Sequence, residues 1–402
     1  MSERPHVLTS GKKKSTSERP KHRRKRRTEP DLYKTRRRAY NPVMGSGAST
    51  PSRERSTHYP ILDALRFVLA FWVAVGHYGM IPLFAGADST GLAHLISRAW
   101  NTVVFGTPAV IVFFVISGFC IHLPFIGNEK LAVGRYYLRR YTRILIPVAG
   151  ALGVYRLWGQ HLVIWGEHSI LWESPLWSLA CEEIYYAAYP LLRLARNRFG
   201  WKKFLPVVFV AGTATALTHP HAVGWHDFGP FGTALLLLPV WLLGCLLAEQ
   251  SETLSLEVTT TRIWGWRFLA WLGCWTSEML HFKAGVPYTQ TMIWFGVLAY
   301  YWVRQEIAYG KHREPNRWLA AAGAWSYSLY LVHVQGMETF AYLRLPNLGY
   351  LFTWFGVMLS SLGFAYLFYR LIEKPSHQLA RKIRVYRTQR AVVVNEKPAF
   401  EV

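Results

Sequence analysis

Apolar residues along this chain come in blocks of about 20 rather than in alternation, and the polar residues gather between the blocks. A run of that length satisfies its own backbone hydrogen bonds as a helix and is long enough to cross a bilayer, whose interior offers no partners. The pattern predicts an all-α polytopic membrane protein, a bundle of about ten transmembrane helices. The expected spans are Tyr59–Leu83, Ala99–Phe125, Ile144–Trp165, Leu176–Leu194, Phe204–Leu217, Phe231–Ala248, Ile263–Leu280, Thr289–Val303, Trp318–Leu343 and Tyr350–Ile372. The seventh is the weakest, because Arg267 and Glu278 interrupt it.

The basic residues fix the expected direction of threading. Clusters at Lys130–Arg143, at Arg193, Arg196, Arg198, Lys202 and Lys203, and at Arg304, Lys311, Arg313 and Arg317 fall at alternate ends of the blocks. Cytoplasmic loops carry such clusters, so both termini are expected on the cytoplasmic side of a cell (plasma or inner) membrane. The outer loops then hold Glu167, His168, Glu173, His219, His221 and His226, with only scattered cations such as Lys283 and Arg344. Residues 1–57 contain KKK, KHRRKRR and KTRRR and almost nothing apolar, which predicts a disordered basic tail able to touch anionic lipid. Met44 within it offers a second start. The transmembrane domain is expected over 58–384, with a second cytoplasmic tail over 385–402.

Composition changes the picture in two places. Lys and Arg number 46 against 23 Asp and Glu, a net charge of +23 that would suggest nucleic acid in a soluble protein. Its distribution follows the threading rule instead, so no nucleic acid is expected as a partner; the bilayer is. The four cysteines, Cys120, Cys181, Cys245 and Cys274, all lie inside apolar blocks without metal-ligand spacing, and read as small packing residues. No metal is expected.

Ionisable side chains inside the spans carry the candidate chemistry, because a membrane helix does not hold them without a role. In the first span Arg66 and His77 are eleven positions apart, roughly three turns, so a cation and a titratable base share a face about 16 Å apart in depth. Asp63, one turn before Arg66, offers it a carboxylate. In RYYLRRYTR, Arg140 and Arg143 stand at i and i+3 and present two guanidinium forks side by side, a match for phosphate or a plain topology anchor. In WSLACEEIYYAAYP, Glu182 and Glu183 point about 100° apart, so one at most faces a given cavity squarely, and a carboxylate at this depth could orient His77. Ser117 and Gly118 of SGFCIH permit close helix approach, and His122 and His333 read first as polar contacts between helices. Ser117 has no GxSxG elbow to make it a nucleophile.

Taken in order, LDALR with His77 ten residues on, FFVISGF, RRYTR, WSLACEEIYYAAYP, YSLYLVH and YRLIEKP resemble the acyltransferase 3 family of integral-membrane acyltransferases, from Tyr59 to about Arg384. The resemblance implies transfer of an acyl group, commonly acetyl, from a coenzyme A thioester to a hydroxyl of a glycan or other cell-envelope molecule. No cofactor is then bound permanently; acetyl-CoA or another acyl-CoA is the donor substrate. It also implies that Arg66 and His77 correspond to the family's paired arginine and histidine, Arg140 and Arg143 to its paired arginines, and Glu182 to the acid after WSL. The expected catalytic residues are then His77, Glu182 and Arg66, the expected donor-binding residues Arg140, Arg143 and Arg66, and Asp63, Ser117, Trp177, Ser178, Glu183 and His333 are further candidates. Gly76 and Val332 depart from the bulkier residue and the tryptophan usual before the two histidines. A general-base and an acyl-histidine route are both open. The alternative reading is a non-catalytic transporter or lipid-binding membrane protein, since intramembrane Arg, Glu and His also mark proton pathways.

Overall fold

The computed structural model describes residues 58–83, 91–104, 106–126, 131–159, 176–220, 222, 224–343 and 349–383, all within one unit that starts at Arg55. The two tails, the expected outer loop after Leu83 and the loop with Glu167, His168 and Glu173 lie outside the described residues.

The described elements are helices: α1 (Pro60–Tyr78), α2 (Leu92–Asn101), α3 (Gly106–His122), α4 (Val133–Leu157), α5 (Trp177–Phe199), α6 (Trp201–Thr218), α7 (Gly229–Ser251), α8 (Thr260–Ala284), α9 (Tyr288–Gly310), α10 (Arg317–Ala322), α11 (Ser326–Tyr342), α12 (Tyr350–Phe368) and α13 (Lys374–Arg381). Pyrrolidine at Pro60 suits the first turn of α1, where its missing N–H is not needed. Asn316 caps α10 by accepting from the N–H groups of Trp318 and Leu319, and Gly285 closes α8 in the left-handed conformation. By length and composition, four helical stretches among the described residues are long and apolar enough to cross a membrane: Pro60–Tyr78, Gly106–Phe125, Gly229–Ser251 and Tyr350–Arg381.

Several boundaries differ from the sequence expectation. The second span, expected over Ala99–Phe125, is divided, because α2 ends at Asn101 and the apolar helix α3 starts at Gly106. The third span was expected from Ile144, but α4 starts at Val133, so the whole RYYLRRYTR segment is helical and rigidly attached to the bundle. The ninth is divided: α10 leads through a single 3-10 turn, Gly323–Trp325, into α11, which itself breaks at Val332 (φ −127°, ψ 16°). The tenth does not stop at Ile372, because α12 passes through a π-helical turn, Tyr369–Glu373, into α13, which packs back along α4.

Close backbone contact sets the centre of the bundle. A Cβ on Gly118 of α3 would collide with the Trp241 carbonyl of α7, and one on Gly244 of α7 with the Val115 carbonyl of α3. Small residues on both faces thus let these two helices meet backbone to backbone, the usual way to gain packing where lipid supplies no hydrophobic drive. The polar interruptions of α8 are paired: Arg267 donates to both Glu306 oxygens of α9 at 2.7 and 3.0 Å, and Tyr288 donates to Glu278. His122 is likewise bound between helices, with Tyr189 at 3.0 Å and Glu249 at 2.8 Å, and Arg196 completes that group on Glu249.

Candidate active site

A cavity of about 650 Å³ opens among α1, α3, α4, α5, α11 and α13. Its positive lining comes from Arg66, Arg139, Arg140, Arg143 and Arg381. By their spacing Arg140 and Arg143 share one face of α4, and both line this cavity. Arg140 lies over the Tyr186 ring, 4.0 Å from its centroid, and its Nε is buried with no hydrogen-bond partner. Arg143 donates to His377 Nε2 of α13 at 3.2 Å. Arg143 and Arg140 line one cavity with Arg66, so like charges are crowded there. Crowding of that kind is unfavourable by itself and is relieved by an anion.

Glu182 is the carboxylate that faces this cavity; Glu183 does not line it, and both its oxygens are buried without a hydrogen-bond partner. One turn on from Glu182, the Tyr186 hydroxyl donates to it at 2.8 Å. Tyr186 spends its one hydroxyl hydrogen on Glu182, so Ser117 is the donor to Tyr186 at 2.7 Å, and the Trp241 indole, a donor only, donates to Ser117 Oγ at 3.2 Å. The result is a directed chain from Trp241 through Ser117 and Tyr186 to Glu182. Ser117 is thus a member of a hydrogen-bond chain within the cavity wall, beyond its role in helix approach.

The first helix divides its two candidates. Arg66 lines the cavity, with the Asp63 carboxylate 4.0 Å from it, while Asp63 also binds His58 at 2.7 Å. His77, at the far end of α1, is exposed, and among the described residues its Nδ1 lies 2.9 Å from the Val73 carbonyl and 3.3 Å from His333 Nε2. The expectation that Glu182 orients His77 is corrected here. Glu182 is tied to Tyr186 and faces the arginines, and the side chain beside His77 belongs to His333 of α11. Helix spacing fixes height along an axis but not the direction in which a neighbouring helix points its side chains, which is why depth alone selects the wrong partner.

Between the cavity and the histidines stands Tyr330. It lines the cavity, its hydroxyl bonds Ser178 Oγ at 2.6 Å, and its ring centroid is 6.3 Å from that of His333. Trp177, next to Ser178, stacks on Trp225 with centroids 4.9 Å apart and serves as a packing platform. Cys120, expected to be a packing residue, lines the cavity. All four cysteines are free.

Arg381 and Tyr330 were missed by sequence reasoning. Arg381 stands four residues after His377, so both fall on one face of α13, and that spacing was a usable signal. Glu373 of YRLIEKP holds the fold together: it accepts from the Ser328 amide at 3.0 Å and the Ser328 hydroxyl at 2.5 Å, capping the start of α11.

The acyltransferase 3 family model, described as an acyltransferase domain, matches residues 59–370. No curated protein and no solved structure matches the chain.

Proposed function

The chain belongs to the acyltransferase 3 family, and from that premise we propose that it is a membrane-bound O-acyltransferase moving an acyl group, in the first instance acetyl, from coenzyme A to a hydroxyl of a glycan or other cell-envelope molecule. The proposal includes a bundle of ten membrane-crossing helices in the plasma or inner membrane, with both termini cytoplasmic and no permanently bound cofactor. One observation carries it: a single cavity holds five arginines and extends to Tyr330, which adjoins the His333 and His77 pair.

The phosphates of the donor dock on Arg140 and Arg143, whose planar forks suit phosphate oxygens better than ammonium groups would. The thioester arm runs past Arg66 and the Ser117, Tyr186 and Glu182 chain towards Tyr330. His77 takes the proton of the acceptor hydroxyl on Nε2; the freed oxygen attacks the thioester carbonyl, the C–S bond breaks, and the sulfur leaves with the proton returned by His77. Positioned proton transfer contributes about 10² to 10⁴ in rate. The remainder comes from holding hydroxyl and thioester together.

The test compares cells lacking the protein with cells carrying the wild type or His77→Ala at equal membrane expression. Mass spectrometry of envelope glycans and extractable metabolites is expected to show an acyl increment with the wild type alone. Acylation by His77→Ala near the wild-type level would overturn the assignment.

A further inference from the structure

The break in α11 sits one residue before His333, and it has a chemical consequence. In a regular helix the carbonyls of Leu329 and Tyr330 would be taken up by backbone N–H groups four residues on. At Val332 the chain leaves helical geometry, and His333 Nδ1 approaches both carbonyls, Leu329 at 3.2 Å and Tyr330 at 2.9 Å. Two carbonyls can only accept, so Nδ1 of His333 carries the hydrogen and Nε2 carries the lone pair. His333 is 1% exposed, so its ring is enclosed, and the Ser361 hydroxyl of α12 donates to its backbone carbonyl at 3.1 Å, which ties this point of α11 to α12.

The lone pair of His333 Nε2 points at His77 Nδ1, 3.3 Å away, with the ring centroids 4.9 Å apart. His77 Nδ1 also lies 2.9 Å from the Val73 carbonyl. Both neighbours of that atom are acceptors, so Nδ1 of His77 is the protonated nitrogen. The tautomer is thereby settled at the second ring as well: the unprotonated nitrogen of His77 is Nε2. The Val73 carbonyl belongs to the same helix and moves with the ring. His333 is the acceptor from another helix, and it ties the ring orientation to the rest of the bundle.

We propose that His333 is a positioning residue that accepts from His77 Nδ1–H, holds His77 in the tautomer with Nε2 free, and supports the imidazolium formed when Nε2 takes up the hydroxyl proton. It fills the orienting role that a carboxylate plays beside many reactive histidines, with a neutral ring in place of a charge. The catalytic part rests on the acyl-transfer reading; the tautomer assignment stands on geometry alone.

The experiment uses the full chain in detergent with acetyl-CoA as donor and compares wild type, His333→Leu and His333→Gln, the last placing a carbonyl oxygen near the lost Nε2. His333→Leu is expected to lower kcat about 10- to 100-fold, the range found when the outer hydrogen-bond partner of a metal-bound histidine is removed, with donor KM little changed. His333→Gln is expected to regain much of that loss. His333→Met replaces the leucine variant if that one does not elute as a folded protein. Equal activity in all variants, or equal loss in the leucine and glutamine variants, would overturn the proposal. A second readout is independent of the donor: carbethoxylation of His77 by diethyl pyrocarbonate, followed by mass spectrometry, should slow severalfold in His333→Leu and recover in His333→Gln. An unchanged rate overturns the positioning role. The expected carbethoxylation pattern in a wild type that transfers no acetyl group would overturn the acyl-transfer reading instead.

Discussion

Removing the two forks of α4 tests the donor site most directly. Arg140→Ala deletes the guanidinium that lies over Tyr186 at 4.0 Å, and Arg143→Ala deletes the one bound to His377 at 3.2 Å. A hydrogen bond between charged groups contributes about 1.5–3 kcal/mol, so each single variant should weaken donor binding about 10- to 100-fold. The double variant should lose less than the product, because neighbouring guanidiniums that share one set of phosphates are coupled. Arg140→Lys separates charge from shape: it keeps a cation in the cavity but loses both the planar fork and the stack on Tyr186. It should therefore resemble Arg140→Ala more than the wild type. The assay is the donor concentration dependence of acetyl transfer from acetyl-CoA in membranes, at two salt concentrations and with matched amounts of folded protein. Unchanged donor dependence in the double variant would refute the reasoning and return these arginines to the role of topology anchors.

Three further outcomes follow from the packing and the polar pairs. Gly118→Val and Gly244→Val should each destroy the folded state, seen as loss of monodisperse elution in detergent, because each added side chain meets a carbonyl of the facing helix. Glu373→Ala should destabilise by about 1–3 kcal/mol, read as a lower Tm, because it strips the Ser328 amide and hydroxyl of their buried acceptor. Arg267→Leu should cost about 3–5 kcal/mol by leaving the buried Glu306 carboxylate without its cation, and Arg267→Leu with Glu306→Leu should recover most of that loss in the same thermal assay.

Much of the site was legible because its signals are local. Arg140 and Arg143 share a face by spacing alone, and both line the cavity. The 100° separation of Glu182 and Glu183 meant that one of them would miss a shared cavity, and Glu183 does. The partner of His77 was not legible in the same way. His333 is 256 residues away in sequence, and its ring is aimed by a helix break at Val332 that no proline or glycine at that position announces. Arg381 was hidden similarly, because the π-helical turn at Tyr369–Glu373 continues a helix beyond the point where the charge pattern would end it, and so brings α13 back onto α4.

The sequence by itself determined the class of the protein, the positions of its helices to within a few residues in most cases, and several of the polar side chains that line the cavity. Those follow from runs of apolar residues and from angular spacing along one helix, both of which are properties of neighbours in the chain. Which side chains meet was decided only by the tertiary structure: Glu182 turns to Tyr186 and the arginines, and His77 turns to His333. The physical reason is that helix periodicity fixes height and azimuth within one element, whereas pairing between elements depends on how closely backbones pack, as at Gly118 and Gly244, and on where a helix breaks.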